Sequence, residues 1–91
     1  VTDKEIRNIL DERKETHGSF TENAEISQGL QSVVAMGSKW YNMSAVQKEA
    51  IRVICAKIAR ICTGDPNHKD SWDDIAGYAI LAADRIEEKY R

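Results

Sequence analysis

The chain has 91 residues, 42% of them hydrophobic and 31% charged, with a formal net charge of −2. That length allows one domain whose folding removes only roughly 60% of the unfolded surface from water, so oligomerisation is an expected source of further stability. The near-neutral charge excludes the basic footprint of a duplex nucleic-acid binder. No apolar run reaches the roughly 18 residues of a membrane span and no signal peptide is visible, so the expected location is the cytoplasm.

A lone proline, five glycines and the lack of alternating β-branched runs predict an all-α chain. Thr2-Asp3 caps a first helix, DKEIRNILDERKETHG, whose Ile6, Ile9 and Leu10 form a narrow apolar stripe, and Gly18 marks its end. Ser19 or Thr21 caps a second helix running to about Ala35, with Phe20, Ala24, Ile26, Leu30, Val33 and Val34 as its apolar positions. MGSKWYNM reads as a loop. Ser44 begins a third helix, SAVQKEAIRVICAKIARIC, which Thr63-Gly64 ends. Asp65-Pro66 reads as an N-cap followed by proline at the first helical position, opening a fourth helix. Four helices with short connections imply a compact four-helix bundle forming one domain over residues 1–91.

Cys55 and Cys62 lie seven residues apart on one helix, about 10 Å along its axis, too far for a disulfide. Buried thiols are the simplest reading, and the absence of CxxC or HxxxH spacing argues against structural zinc.

At about 100° per residue, with Val53 at zero, Val46, Ala50, Ile54, Ile58 and Ile61 fall between roughly 20° and 140° and define the core arc of the third helix. Lys57 falls inside that arc, and Glu49 and Arg60 fall on its margin; Lys48 and Arg52 lie on the far side, as solvated residues do. A lysine inside an apolar arc either snorkels to a carboxylate or holds an anion such as phosphate, with Arg60 beside it. On the fourth helix Trp72, Ile75, Ala76, Ala79, Ala82, Ala83 and Ile86 form the apolar arc, while Asp70, Asp74 and Tyr78 form one ridge bordering it and Asp73 points to solvent. Two acids at i and i+4 repel when both are charged, so the pair needs a cation, either a metal or the Lys57–Arg60 edge. Ile80, among more exposed positions, and the run of small residues around it hint at contact with a second subunit.

Two further groups draw attention. KETHGSFTEN brings His17, Phe20 and Asn23 to one helix start, and Trp40 and Tyr41 in the loop either stack on a base or cap the end of the bundle. His68 joins them as a candidate phosphate contact.

THGSFTENA, KIARI and DPNHKDSWDDIAGY together resemble a family of small bacteriophage and prophage proteins with no assigned activity, over nearly the full length from about Ile6 to Ile86. KIARI followed by a D-x-x-x-D-x-x-x-Y helix is also similar to phage proteins linked to nucleotide modification, with Lys57, Arg60, Asp70, Asp74 and Tyr78 at the matching positions. Both groups look related to the all-α nucleoside-triphosphate pyrophosphohydrolases of the MazG type. That resemblance implies a MazG-like helical fold completed by homo-oligomerisation, and magnesium held by an E-x-x-E pair on one helix and an E-x-x-D pair on another. The chain departs from the pattern: Asp70 with Asp73 or Asp74 supplies the second pair, but no E-x-x-E lies on the corresponding earlier helix. Glu12/Glu15 and Glu22/Glu25 have that spacing elsewhere, and Glu49 is the only acid at the edge of the third helix's arc. Glu49, Asp70 and Asp74 are therefore the candidate metal ligands, thin for a two-metal site.

The leading expectation is a nucleotide-binding protein that sequesters a nucleotide immune signal without hydrolysis. Lys57, Arg60, His17 and His68 would meet phosphates, and Trp40, Tyr78 or Phe20 would stack on a base. The alternatives are a magnesium-dependent nucleotide pyrophosphohydrolase and a helical protein–protein adaptor.

Overall fold

In the computed structural model the backbone is described for residues 2–90 and the side chains for residues 2–86. Four α-helices follow one another: α1 (Asp3–His17), α2 (Phe20–Val34), α3 (Ala45–Thr63) and α4 (Lys69–Tyr90), with a short 3-10 turn, Trp40–Asn42, between α2 and α3. No strand occurs among the described residues.

The helix starts follow capping chemistry. Thr2 Oγ1 accepts from the Glu5 amide at 3.1 Å and Ser19 Oγ from the Glu22 amide at 3.5 Å, so Ser19, not Thr21, caps α2. Ser44 and Gln47 form a reciprocal capping box on α3, each side chain bonded to the other's backbone amide at 3.1 and 2.9 Å. The fourth helix departs from expectation: it opens at Lys69, not at Pro66. Asp65 turns its carboxylate onto the Asn67 amide at 2.9 Å, which spends the acid on a local turn, and the chain makes one further turn before entering the helix. Trp72 Nε1 donates back to the Pro66 carbonyl at 2.9 Å and ties that turn to α4.

α3 is the central element, packed between α2 on one side and α4 on the other. Its buried residues, Ala50, Cys55, Ala59 and Ile61, consequently span about half of its circumference, wider than and rotated from the arc that periodicity predicted. Val46 and Ile58, expected inside, are partly exposed, and Cys55 is buried while Cys62 is exposed. The crossings are made by small side chains: Ser27 of α2, Ala50, Cys55 and Ala59 of α3, and Ser71 of α4, with Ala59 completely buried. No large side chain is fully buried among the described residues.

The bundle is open rather than compact. It measures 49 × 27 × 27 Å with a radius of gyration of 15.6 Å, against about 12 Å for a compact chain of this length. The cause lies in α1, which buries no residue, and in α4, whose long apolar run rests mainly on α3 by a narrow strip that includes Ser71, Ile75 and Ala82.

A clasp between two corners holds the assembly. The α1–α2 corner carries Gly18 in the left-handed region (φ 76°), and the α3–α4 corner carries Gly64; each lies flat against the other corner's backbone. The Asp65 amide donates to the Thr16 carbonyl at 2.9 Å. Asn23 Nδ2 donates to the His17 carbonyl, and the single Thr63 hydroxyl proton has three acceptors in reach: Asn23 Oδ1 at 2.6 Å, the Ala59 carbonyl at 2.9 Å and the His17 carbonyl at 3.2 Å.

Candidate functional site: a cationic groove on the central helix

α2 and α4 flank α3, and one face of α3 is the floor of an open groove of about 400 Å³. Glu49, Arg52, Val53, Ala56, Lys57 and Arg60 line it, spaced i, i+3, i+4, i+7, i+8 and i+11 along one stripe of α3. Gln31 of α2 forms one wall and Tyr78 of α4 the other. Ala56 and Val53 are small enough to leave the depression, and the long charged residues rise around it. Three cations against one carboxylate make the lining positive within a chain of net charge −2.

The cations are not equivalent. Lys57, only 18% exposed at its side chain, pairs with Asp74 across the α3–α4 crossing, Nζ to Oδ2 at 2.9 Å. A half-buried ammonium takes an anion wherever one is in reach, and here α4 supplies it. The Arg52 guanidinium stacks 5.7 Å from the centre of the Trp40 ring, which fixes its direction while its donors stay available. Arg60 makes no ion pair among the described residues. One groove therefore holds a neutralised lysine, a propped arginine and an uncommitted arginine.

The sequence-predicted residues divide into groups. Glu49, Lys57, Arg60 and Tyr78 come together in the groove, and Asp74 joins through Lys57. His17, Asn23, His68 and Asp70 gather instead at the corner clasp. His17 and His68 meet edge to face with centroids 5.8 Å apart, and Asp70 reaches His68 Nε2 only at 4.0 Å with its own side chain 83% exposed. Asp70 thus does not border the core. It sits at the entrance of α4 where the later helix start at Lys69 turns it outward. Asn23 is occupied by its clasp bonds. Phe20 is 86% exposed at the start of α2 and does not line the groove.

Trp40 is a correction: it is buried at 8% exposure beneath Lys48 and Arg52, so its ring holds cations and cannot receive a base, while Tyr41 beside it is the exposed ring. The metal set is another. No three His, Cys, Asp or Glu side chains cluster as ligands among the described residues, so Glu49, Asp70 and Asp74 do not converge within one chain. Glu49 lies in the groove, Asp74 is bound to Lys57, and Asp70 belongs to the His68 corner. Two groove residues escaped the sequence reading, Arg52 and Gln31. The stripe 49–52–53–56–57–60 was visible in the spacing, but Arg52 was placed by its distance from an apolar arc that the structure rotates.

At the clasp, His17 Nδ1 is buried with no hydrogen-bond partner among the described residues. Burial, then the neighbouring positive charges of Arg60, His68, Lys57 and Arg13, hold its pKa below the usual 6.5. The unfolded chain therefore binds this proton more readily than the native one, so His17 costs nothing above pH 6.5 and destabilises progressively as pH falls through 6.5 towards its folded value. Thermal melts are expected to show stability falling as the medium is acidified across that window, and His17→Gln is expected to flatten the decline.

Residues 2–86 match a family described as a domain of unknown function (DUF6378). No curated protein and no solved structure matches the chain. Among the described residues no helix is long and apolar enough to cross a membrane.

Proposed function

The chain belongs to the DUF6378 family, and from that premise we propose that it binds a nucleotide through the α3 groove and holds it without turnover. The observation that carries this reading is the grouping of Arg52, Lys57 and Arg60 beside the Tyr78 ring in one open depression of about 400 Å³, a volume in the range of small-molecule sites. Guanidinium groups suit phosphate because their planar donors bind oxygen pairs, and an aromatic wall suits a base. The charge is local, since the chain as a whole is acidic. Holding rather than hydrolysis is the reading we favour because Asp74, the acid beside the groove, is paired with Lys57, and no three potential ligand side chains cluster among the described residues. The resemblance of KIARI and the Asp70–Asp74–Tyr78 ridge to phage nucleotide-handling proteins and MazG-type pyrophosphohydrolases supports the same ligand class. In that setting, the cytoplasm of a phage-bearing bacterium, the protein would sequester a nucleotide signal of host immunity.

Titration calorimetry with nucleoside triphosphates, cyclic dinucleotides and ADP-ribose tests the proposal. Micromolar or tighter binding of one of them is expected, with the compound recovered intact after denaturation. Arg60→Ala is expected to weaken it about tenfold or more, the loss of one charge-assisted contact. Recovery of a cleaved product in the presence of magnesium would favour the pyrophosphohydrolase reading instead. No binding by any compound and no cleaved product would overturn both.

A further inference from the structure

The largest anomaly in the molecule is its uncovered apolar surface. The exposed area is 6948 Å², whereas a folded monomer of 10.3 kDa exposes about 5,400 Å². The surplus, about 1,600 Å², matches one side of a permanent homodimer interface, which buries about 2,000–5,000 Å² over both partners. Two helices carry much of the exposed apolar surface. In α4 the stretch IAGYAILAA carries nine residues without a charge, yet its Tyr78, Ile80 and Leu81, and Ile86 just beyond, are all partly or largely exposed. A helix that is apolar around most of its circumference is built to be covered from more than one side, and here its main cover is α3. In α1 the stripe Ile6, Ile9 and Leu10 is exposed at 47%, 48% and 56%.

We propose that a second copy of this chain covers the outer face of α4, seated in the shallow depression lined by Gly77, Tyr78, Ile80 and Leu81, and that the α1 stripes are buried in the same assembly. Space is available, since nothing lies within 4 Å of where a Gly77 side chain would begin. Charge favours a like partner over a cationic one. The two acids on the rim are already neutralised within the chain, Asp73 by Lys69 at 2.7 Å and Asp74 by Lys57 at 2.9 Å, so an identical face meets little repulsion there. Tyr78 lines both this depression and the cationic groove. The groove's α4 wall is therefore a single side chain in the isolated chain, and the second copy backs it. The assembly rests on uncovered surface alone and does not depend on the nature of the ligand.

Light scattering on the unaltered chain without nucleotide decides the matter. At about 100 µM the expected mass is twice 10.3 kDa, and the melting temperature is expected to rise with protein concentration. Leu81→Glu and Ile80→Glu are expected to return the mass to 10.3 kDa. Both positions are more than half exposed in the single chain, so a glutamate there costs little within it beyond repulsion from Asp84 one turn on. Monomeric variants count for the interface where circular dichroism shows the helical signal of the unaltered chain retained. An unaltered chain of 10.3 kDa with a concentration-independent melt overturns the proposal, as does a dimer that both variants leave intact. A dimer that binds no nucleotide overturns only the ligand reading, and a monomer that binds one overturns only the assembly.

Discussion

Gly64→Ala is expected to destabilise the chain by about 3 kcal/mol or more, a large part of a small domain's total. A Cβ at that position would intrude on the Thr16 carbonyl oxygen and lie 2.6 Å from the His17 carbonyl carbon, and both are backbone atoms that no rotamer change moves aside. Relief requires the two corners to separate, which breaks the Asp65–Thr16 bond at 2.9 Å and the Thr63–Asn23 bond at 2.6 Å. Gly18→Ala is expected to do the same for two reasons, its left-handed φ of 76° and the Thr63 backbone against it. Gly29→Ala is the internal control. Its helix position has nothing within 4 Å, so the substitution is expected to raise stability by about 0.4–1 kcal/mol. Denaturant melts of the three variants give the comparison; a mild Gly64→Ala would show that the corners are not a rigid clasp.

Asp74→Ala is expected to move stability and ligand affinity in opposite directions. Removing the carboxylate leaves the Lys57 ammonium, 18% exposed, without its partner, at a cost of about 1–2 kcal/mol given that Asp74 itself is half exposed. The same change releases a third cation into a groove that already holds Arg52 and Arg60. A phosphate-bearing ligand would then gain a charge contact, so affinity is expected to rise several-fold while the melting temperature falls. A metal-dependent hydrolase makes the reverse prediction, because there Asp74 holds the ion and its loss abolishes activity. Calorimetry and thermal melts on one preparation separate the two, and a parallel loss of stability and binding would count against an anion groove.

The capping residues made most of the fold legible. Thr2 and Ser44 fixed two helix starts to within a residue, and the choice of Ser19 or Thr21 bracketed a third, because a cap is a local bond between a side chain and an amide three positions on. The fourth start failed because Asp65-Pro66 permits two local solutions, a cap or an aspartate-led turn, and the tertiary clasp of Asp65 on Thr16 selects the turn. Angular placement identified Glu49, Lys57, Arg60 and Tyr78, which do share a groove, and it put Asp73 correctly towards solvent, where it pairs with Lys69. It misplaced Arg52 and Asp70, while Trp40, in the loop, lay outside its reach. Periodicity assumes one buried face per helix, whereas α3 is covered on two sides by small residues that hydrophobic patterning underweights. The His17–Thr63–Asn23 clasp joins residues 40 and 46 positions apart and has no local signature at all.

One feature of α1 bears on how the chain opens. The helix is anchored by its last turn at the clasp, and none of its 15 residues is buried. A helix of that length is marginal in water on its own, so the turns from Asp3 to Leu10 are sustained by the Thr2 cap and the Arg7–Asp3 pair rather than by packing. In the single chain its backbone amides should exchange with solvent through local fraying, at a free energy well below that of opening the α2–α3–α4 unit. The molecule thus has a reluctant centre and a hinged arm, and amide protection along residues 3–10 is a direct gauge of whether that arm has found something to lie against.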